Sequence, residues 1–236
     1  MYTLSEHYDN LSSKITAIDA LELKCESKAR VAEIIKKIKE DDFENNYIRG
    51  KALEELIVQI LRGMKIFKTI KYNINTSSNE FDVIAILNIL GKDLRDRKII
   101  PEWIPDTIIF ECKNYSGHVK VDYIGKFFSL MESSKINLGI FVSRVGVTGK
   151  YDNNGNESKY WKDAMSFINK INLKYSEAQN AKILLDIELK DLENLMEDGN
   201  NIIDILEIRK IQIDCDINKD ISSWIIKHDN EGKLGL

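Results

Sequence analysis

In the stretch TIIFECKNYSG, residues 107–117, the apolar run is followed at once by Glu111 and Lys113. An acid and a base with this spacing can act on one reacting group. The apolar letters before them predict a β-strand that carries polar side chains out of a core. Glu-x-Lys also occurs where helices, loops or the tail are predicted, starting at Glu22, Glu26, Glu157, Glu188 and Glu231. Of the six copies, only the one at Glu111 is predicted to follow a buried strand.

A metal site is predicted where this strand ends. Alternate side chains of a strand share a face, so Glu111 and Lys113 point the same way, about 6–7 Å apart, and Cys112 points oppositely. Asp82 stands just before the apolar run of EFDVIAIL, and it converges with Glu111 if the two strands are neighbours. Two carboxylates and one backbone carbonyl, that of Cys112, suffice for Mg²⁺. Lys113 would then orient or deprotonate a water.

A third acid, Glu54 or Glu55, lies on the preceding predicted helix and can close the site from the side. Each acid also has a purely structural interpretation. Asp82 can mark the start of a strand, and Glu111 with Lys113 can be a solvated ion pair. Acids near a helix N-terminus are common because they interact favourably with the helix dipole.

The elements that position these residues are predicted from hydrophobic periodicity. Residues 11–45 are expected to be a helical extension that packs or dimerises, and a helix follows Gly50. The remaining predictions are strands at KIFKTIKYNIN, EFDVIAIL, TIIFECK, NLGIFVSRVG and AKILLDI, a turn at TSSN, an irregular charged excursion over 88–106, helices near 121–135, 159–175 and 189–199, a helix or strand over 201–215, and a frayed tail HDNEGKLGL. This order predicts a mixed α/β domain with a central sheet flanked by helices.

The composition limits the classes of protein. The 236 residues are 43% hydrophobic and 31% charged, which predicts a sizeable core and a well-solvated surface. A net charge of −4 does not favour nucleic-acid binding, but local charge decides binding. Three scattered cysteines and three scattered histidines argue against disulfide frameworks and zinc sites, and favour the cytoplasm. No apolar run nears the roughly 18 residues that span a bilayer, so no membrane partner is expected.

The ordered motifs GKALE (50–54), NEFDVIAI (79–86) and IIFECKNYSGHV (108–119) resemble the PD-(D/E)xK nuclease superfamily, in its Mrr-type restriction endonuclease-like branch. The resemblance covers about residues 48–198 and implies the restriction endonuclease-like fold. The implied domains are a helical extension (1–45), a nuclease-like domain (46–198) and a C-terminal extension (199–236). The resemblance also implies Asp82 and Glu111 as metal ligands, Lys113 as the catalytic lysine and Glu54, rather than Glu55, as the helix acid.

The implied function is a Mg²⁺-dependent endonuclease, with Mn²⁺ as a possible substitute, that acts on DNA in restriction or defence. A homodimer suits cleavage of both DNA strands. The sequence shows no glycine-rich phosphate loop of the Walker type, so no nucleotide cofactor is expected. Basic residues expected to contact the DNA backbone are Lys65, Lys68, Lys71, Lys120 and Lys126. The alternatives are a non-catalytic DNA-binding or assembly subunit with the same fold, and a protein-interaction domain.

Overall fold

A computed structural model describes residues 17, 19–75, 80–152, 154–156, 162–176 and 181–217. Its elements are α1 (Cys25–Glu40), α2 (Asn46–Gly63), β1 (Phe67–Asn75), β2 (Glu80–Leu87), α3 (Ile89–Asp96), β3 (Thr107–Lys113), α4 (Val121–Ser134), β4 (Leu138–Ser143), α5 (Asp163–Tyr175), β5 (Ile183–Glu188), α6 (Leu189–Glu193), a 3₁₀ turn (Asn194–Met196) and α7 (Ile202–Asp214). Within these ranges, no helix is both long and apolar enough to cross a membrane.

Five strands of the described chain form one sheet in the order β1-β2-β3-β4-β5. β2 runs antiparallel to β1 and β3, and β3, β4 and β5 run parallel to one another. Parallel neighbours need long crossovers, which α4 and α5 provide. The start of β2 and the ends of β3, β4 and β5 therefore meet at one edge of the sheet, which we call the upper edge. The predicted mixed α/β sheet with flanking helices is confirmed.

Alternation along β3 separates an apolar row from a polar one. Phe110 and Cys112 are buried, whereas Glu111 and Lys113 are partly exposed. In the register with β4, Glu111 pairs with Phe141. Phe141 packs edge-on against Phe127 of α4, with ring centroids 6.0 Å apart, so α4 lies on the same face of the sheet as Glu111. A packed core thus holds Glu111 and Lys113 at the upper edge of the sheet.

The N-terminal helices pack onto this domain. α1 buries Val31, Ile35 and Ile38, and it ends where Asp41 adopts a left-handed conformation with φ 56°. Asn45 caps α2 by accepting hydrogen bonds from the backbone N–H groups of Tyr47 and Ile48. The helical extension predicted over 11–45 includes α1 in its described part, and the chain turns between Glu40 and Asn46 before α2 begins.

Other expectations from the sequence needed correction. The helix expected after Gly50 begins earlier, at Asn46. The Glu-x-Lys copy at Glu188 was expected away from a buried strand, but Glu188 ends the buried strand β5. The excursion over 88–106 was predicted to be irregular, but it contains α3, which Asn88 caps through Gly91 N at 2.9 Å. α3 forms because Leu94 anchors it in the core. The helix predicted to end at Gly199 instead becomes a 3₁₀ turn after Glu193. The TSSN turn, at residues 76–79, and the tail lie outside the described residues.

A buried ionic network joins α7 to β5. Arg209 donates from Nε and Nη2 to Asp186 Oδ1 at 3.0 and 2.6 Å, and both side chains are 0% exposed. Lys150 Nζ lies 3.4 Å from Asp186 Oδ2 and 2.6 Å from Glu188 Oε1. Burial opposes ionisation of Asp186, yet the two cations hold its pKa below the usual value. Buried charges require such partners, so the network holds α7 in place.

Candidate active site

Asp82 is fixed against the end of β3 by the pairing of β2 with β3. Its neighbour Val83 pairs with Phe110, which brings Asp82 level with the last residues of β3. Asp82 Oδ2 accepts a hydrogen bond from the backbone N–H of Cys112 at 2.7 Å. The carboxylate is largely buried, with 8% of the residue exposed. The convergence of Asp82 and Glu111 at one edge of the sheet therefore exists in the fold.

The Lys113 ammonium lies among three oxygen atoms. Its Nζ is 2.5 Å from Glu111 Oε1, 3.3 Å from Asp82 Oδ2 and 3.2 Å from the carbonyl oxygen of Cys112. These are the three groups that the sequence predicted as metal ligands. A positive charge already contacts all of them, so the three oxygen atoms face one point in space.

Glu54 reaches the same region from α2. It is 6% exposed, and Lys51, one helical turn earlier, donates to both of its carboxylate oxygens at 3.0 and 3.1 Å. Lys51 also donates to Asn73 Oδ1 of β1, which ties α2 to the sheet. Glu55 is exposed and points to Arg30 of α1, with 3.6 Å between the charged groups. The structure therefore brings Glu54, and not Glu55, to Asp82 and Lys113.

The charges at this edge are strongly coupled. Burial raises the pKa of Glu111, as does the nearby Asp82, while Lys113 lowers it. Burial likewise raises the pKa of Glu54, against the hydrogen bond from Lys51. For Lys113, burial lowers the pKa, but Glu111 and Asp82 outweigh it and raise the pKa above its usual value. In this arrangement Lys113 is an ammonium group, a hydrogen-bond donor rather than a proton acceptor.

The residues at this edge fit a divalent cation. Among the described residues, no group of three or more His, Cys, Asp and Glu side chains is spaced to hold a metal ion. The predicted ligand set differs from such a group because its third member is the Cys112 carbonyl. Carboxylate and carbonyl oxygens suit Mg²⁺ and Mn²⁺, and the Lys113 contacts show that the three converge. A bound cation would require the Lys113 ammonium to move aside.

A cleft of about 650 Å³ opens in front of Asp82, Cys112 and Lys113, whereas Glu111 is not among the residues that line it. Its wall includes Glu54, Asp82 and Lys113, together with Tyr47 and Tyr115. Further lining residues that sequence reasoning missed are Arg49, Lys51 and Asn114. Two of them carried a local signal, because Asn114 directly follows the candidate lysine and Lys51 precedes Glu54 by one helical turn.

The five lysines predicted to contact DNA are not all near this cleft. Lys65 precedes the start of β1 and lies beside the end of β2. At the usual strand rise, this end of β2 is about 16 Å from Asp82. Lys65 also pairs with Asp19. Lys68 and Lys71 lie on β1, the edge strand. Lys120 immediately precedes α4, and Lys126 lies 5.9 Å from the ring of Tyr123, which packs against Tyr115 of the cleft. Lys120 and Lys126 are therefore the better placed.

Cys112 is expected to be an inert core thiol. Its side chain is 3% exposed, and burial, followed by the nearby carboxylates, raises its pKa well above the usual value. We expect Cys112→Ser to leave nuclease activity within about twofold, because only the backbone of this residue contacts the candidate site, while burying a hydroxyl lowers the free energy of unfolding by about 1–3 kcal/mol. Plasmid cleavage and urea unfolding measure the two quantities. A large loss of activity in the folded variant would contradict this assignment.

Comparison with protein families supplies independent information on this region. Residues 46–158 match a family model described as restriction endonuclease, of the Mrr catalytic type. The matched span contains α2, β1, β2, α3, β3, α4 and β4, and with them Glu54, Asp82, Glu111 and Lys113. Neither the search of curated proteins nor the search of solved structures gave a match. The resemblance and the fold class predicted from the sequence are therefore confirmed.

Proposed function

We propose, from the match of residues 46–158 to a restriction endonuclease family model of the Mrr type, that the chain is a metal-dependent endonuclease that hydrolyses phosphodiester bonds in DNA. The observation that carries the proposal is the convergence of Asp82, Glu111 and the Cys112 carbonyl on one cation, the Lys113 ammonium. Such a set at the mouth of an open cleft suits a reaction in which negative charge develops on a phosphate.

Asp82, Glu111 and the Cys112 carbonyl would hold the divalent cation, and Glu54 would lie beside them as a further acid. When bound, the cation would neutralise charge that develops on the phosphate. Lys113, as an ammonium, would donate a hydrogen bond that orients the attacking water or a phosphate oxygen. Hydrolysis joins the water oxygen to phosphorus while one ester P–O bond breaks. The water gives up one proton to the solvent, and the departing oxygen takes up a proton to become a hydroxyl.

Several finer features belong to this proposal. Mg²⁺ is the proposed cation and Mn²⁺ its substitute, because both accept oxygen ligands. A role in restriction or defence follows from the family alone. Cytoplasmic localisation, a homodimer for two-strand cleavage and independence from nucleotide cofactors remain predictions from the sequence.

Incubation of the purified chain with supercoiled plasmid tests the proposal directly. We expect nicked or linear DNA in Mg²⁺ or Mn²⁺ and intact plasmid in EDTA, since the carboxylates alone do not neutralise a phosphate. Gel electrophoresis over time measures the rate, and methylated and unmethylated plasmids are run in parallel. Salt-dependent binding without cleavage on any of these substrates would instead favour a non-catalytic DNA-binding subunit, and absence of binding would favour a protein-interaction domain.

A further inference from the structure

Two arginines from distant parts of the chain converge on one carboxylate beside the cleft. Arg49 belongs to the first turn of α2 and lines the cleft, whereas Arg144 follows the end of β4. Arg49 Nε lies 3.1 Å from Asp41 Oδ1, and Arg144 Nη1 lies 3.2 Å from the same oxygen atom. Asp41 stands at the C-terminus of α1 with its side chain 40% exposed. Two guanidinium groups therefore share a single anionic oxygen near solvent.

The hydrogen bonds of this cluster are incomplete. Although both nitrogen atoms are within ion-pair distance of Asp41 Oδ1, neither N–H is aligned with it, and Arg49 Nε and Arg144 Nη1 are buried without a hydrogen-bond acceptor among the described residues. A buried donor without an acceptor costs about 1–3 kcal/mol. Asp41 balances one of the two positive charges and satisfies neither of these donors. The cluster therefore retains one excess positive charge and two unsatisfied donors, whose nitrogen atoms both lie within 3.2 Å of the same Asp41 oxygen.

Both arginines are held in position by other contacts. Arg144 Nη2 donates to the carbonyl oxygen of Lys39, and its backbone N–H donates to the carbonyl oxygen of Lys113 at 3.4 Å. The carbonyl oxygen of Arg49 accepts from Asn114 Nδ2 at 2.7 Å, and Asn114 directly follows Lys113. Arg144 is thus connected by a backbone hydrogen bond to Lys113, which ends β3, and Arg49 is connected to Asn114, the next residue. An anion bound between the two arginines would lie near the end of β3.

We propose that Arg49 and Arg144 form a binding site for a backbone phosphate of the DNA next to the bond that is cut, and that the Asp41 carboxylate occupies this site until DNA displaces it. A phosphodiester offers two charged oxygens to two guanidinium groups, whereas one oxygen of Asp41 now serves both. Arginine suits such forked contacts better than lysine does. The inference rests on the proposed nuclease function, and it adds a positioning site to the lysines predicted to contact DNA.

The substitution Asp41→Asn separates this inference from a purely structural role. If Asp41 competes with phosphate, removing its charge tightens binding of a labelled DNA duplex in EDTA. The expected gain in affinity is about three- to fivefold, because this is the effect of the repulsion between two unit charges roughly 5 Å apart in water. If Asp41 only fastens α1 and α2 to the sheet, the same change leaves DNA affinity unaltered or weakens it. Asp42→Asn is the matched control, since it removes the same charge at the next residue, and we expect less than a twofold effect.

The arginines are tested by the salt dependence of the same binding reaction. Arg49→Gln and Arg144→Gln should each weaken binding and lower the slope of log K against log salt by about 1, the contribution of one phosphate contact. Arg97→Gln, at the end of α3, is the control and should leave the slope unchanged. Unchanged slopes in both variants, or equal effects of Asp41→Asn and Asp42→Asn, overturn the inference.

Thermal unfolding in inorganic phosphate gives a readout that does not depend on nuclease activity. A ligand that binds the folded state raises the melting temperature. We expect phosphate to stabilise the wild-type chain, to stabilise Asp41→Asn more, and to lose its effect in the Arg49→Gln/Arg144→Gln double variant. This pattern without cleavage would refute the nuclease proposal and keep the anion site. Metal-dependent cleavage without this pattern, and with unaltered salt slopes, would refute the anion site alone.

Discussion

Lys113→Ala is expected to slow DNA cleavage by at least about a hundredfold, the usual effect of removing a positioned proton donor or acceptor, while the metal still binds. The reason is geometric, because the Lys113 ammonium contacts Glu111, Asp82 and the Cys112 carbonyl without being one of the predicted ligands. Removing a cation from these oxygens should leave metal affinity equal or higher. Nicking rates at saturating Mg²⁺ and calorimetric titration with Mn²⁺ measure the two effects separately.

The matched control for Lys113→Ala is Lys126→Ala on α4. Lys126 lies over the ring of Tyr123 rather than among the carboxylates, so its loss should lower DNA affinity modestly and leave cleavage at saturating DNA unchanged. Loss of Mn²⁺ binding in Lys113→Ala would show that the lysine organises the ligands. Unchanged cleavage would remove Lys113 from the candidate catalytic residues.

Asp82→Asn is expected to abolish metal binding and cleavage together without unfolding the chain. In the wild-type chain, Cys112 N donates a hydrogen bond to Asp82 Oδ2 at 2.7 Å. The amide oxygen of asparagine can still accept this bond, but the negative charge is lost. Asp82→Ala should have the same functional effect and also lower the free energy of unfolding by about 1–3 kcal/mol, because the buried Cys112 N–H loses its acceptor. Calorimetric titration, nicking assays and urea unfolding distinguish the two variants.

Glu80→Gln provides the comparison for Asp82, since Glu80 also lines the cleft and carries the same charge two residues earlier. It is exposed, and we expect metal binding to change by less than about threefold, the effect of a solvent-screened charge. Equal losses in Glu80→Gln and Asp82→Asn would mean that the general negative charge of the cleft matters, rather than a ligand at Asp82. Retained metal binding in Asp82→Asn would remove this residue from the ligand set.

The part of the site that was predictable from the sequence depends on short-range periodicity. Alternation in β3 placed Glu111 and Lys113 on one face, and the acid before the apolar run of β2 reached the same edge once the two strands paired. Glu54 was distinguished from Glu55 by the family resemblance, and Lys51, one helical turn earlier, gives its buried carboxylate a hydrogen-bond donor. These relations hold within one or two adjacent elements, where the local sequence pattern determines which way each side chain points.

What was missed depends on contacts between distant segments. Arg49 and Arg144 meet at Asp41 only because α2 and the end of β4 are brought together by the whole sheet, and no local pattern signals this. α3 was missed because prolines and charges after it obscured a short buried stripe. The lysines were chosen by charge alone, and charge does not reveal that Lys65 lies at the opposite end of the sheet from Asp82.

The ionic network around Arg209 bears on how much of the chain must be kept when a minimal fragment is prepared. The family match ends at residue 158, and the resemblance in the sequence ends near 198, but Arg209, one of the two cations that hold Asp186, lies in α7. A fragment cut after residue 198 would keep Asp186 and Lys150 in the core and lose the guanidinium group that lies nearer to this carboxylate. Breaking such a buried pair costs about 3–5 kcal/mol, a large share of the stability of a domain. We therefore expect a stable fragment to include Arg209, and with it α7, which lies beyond the region that the family model matches.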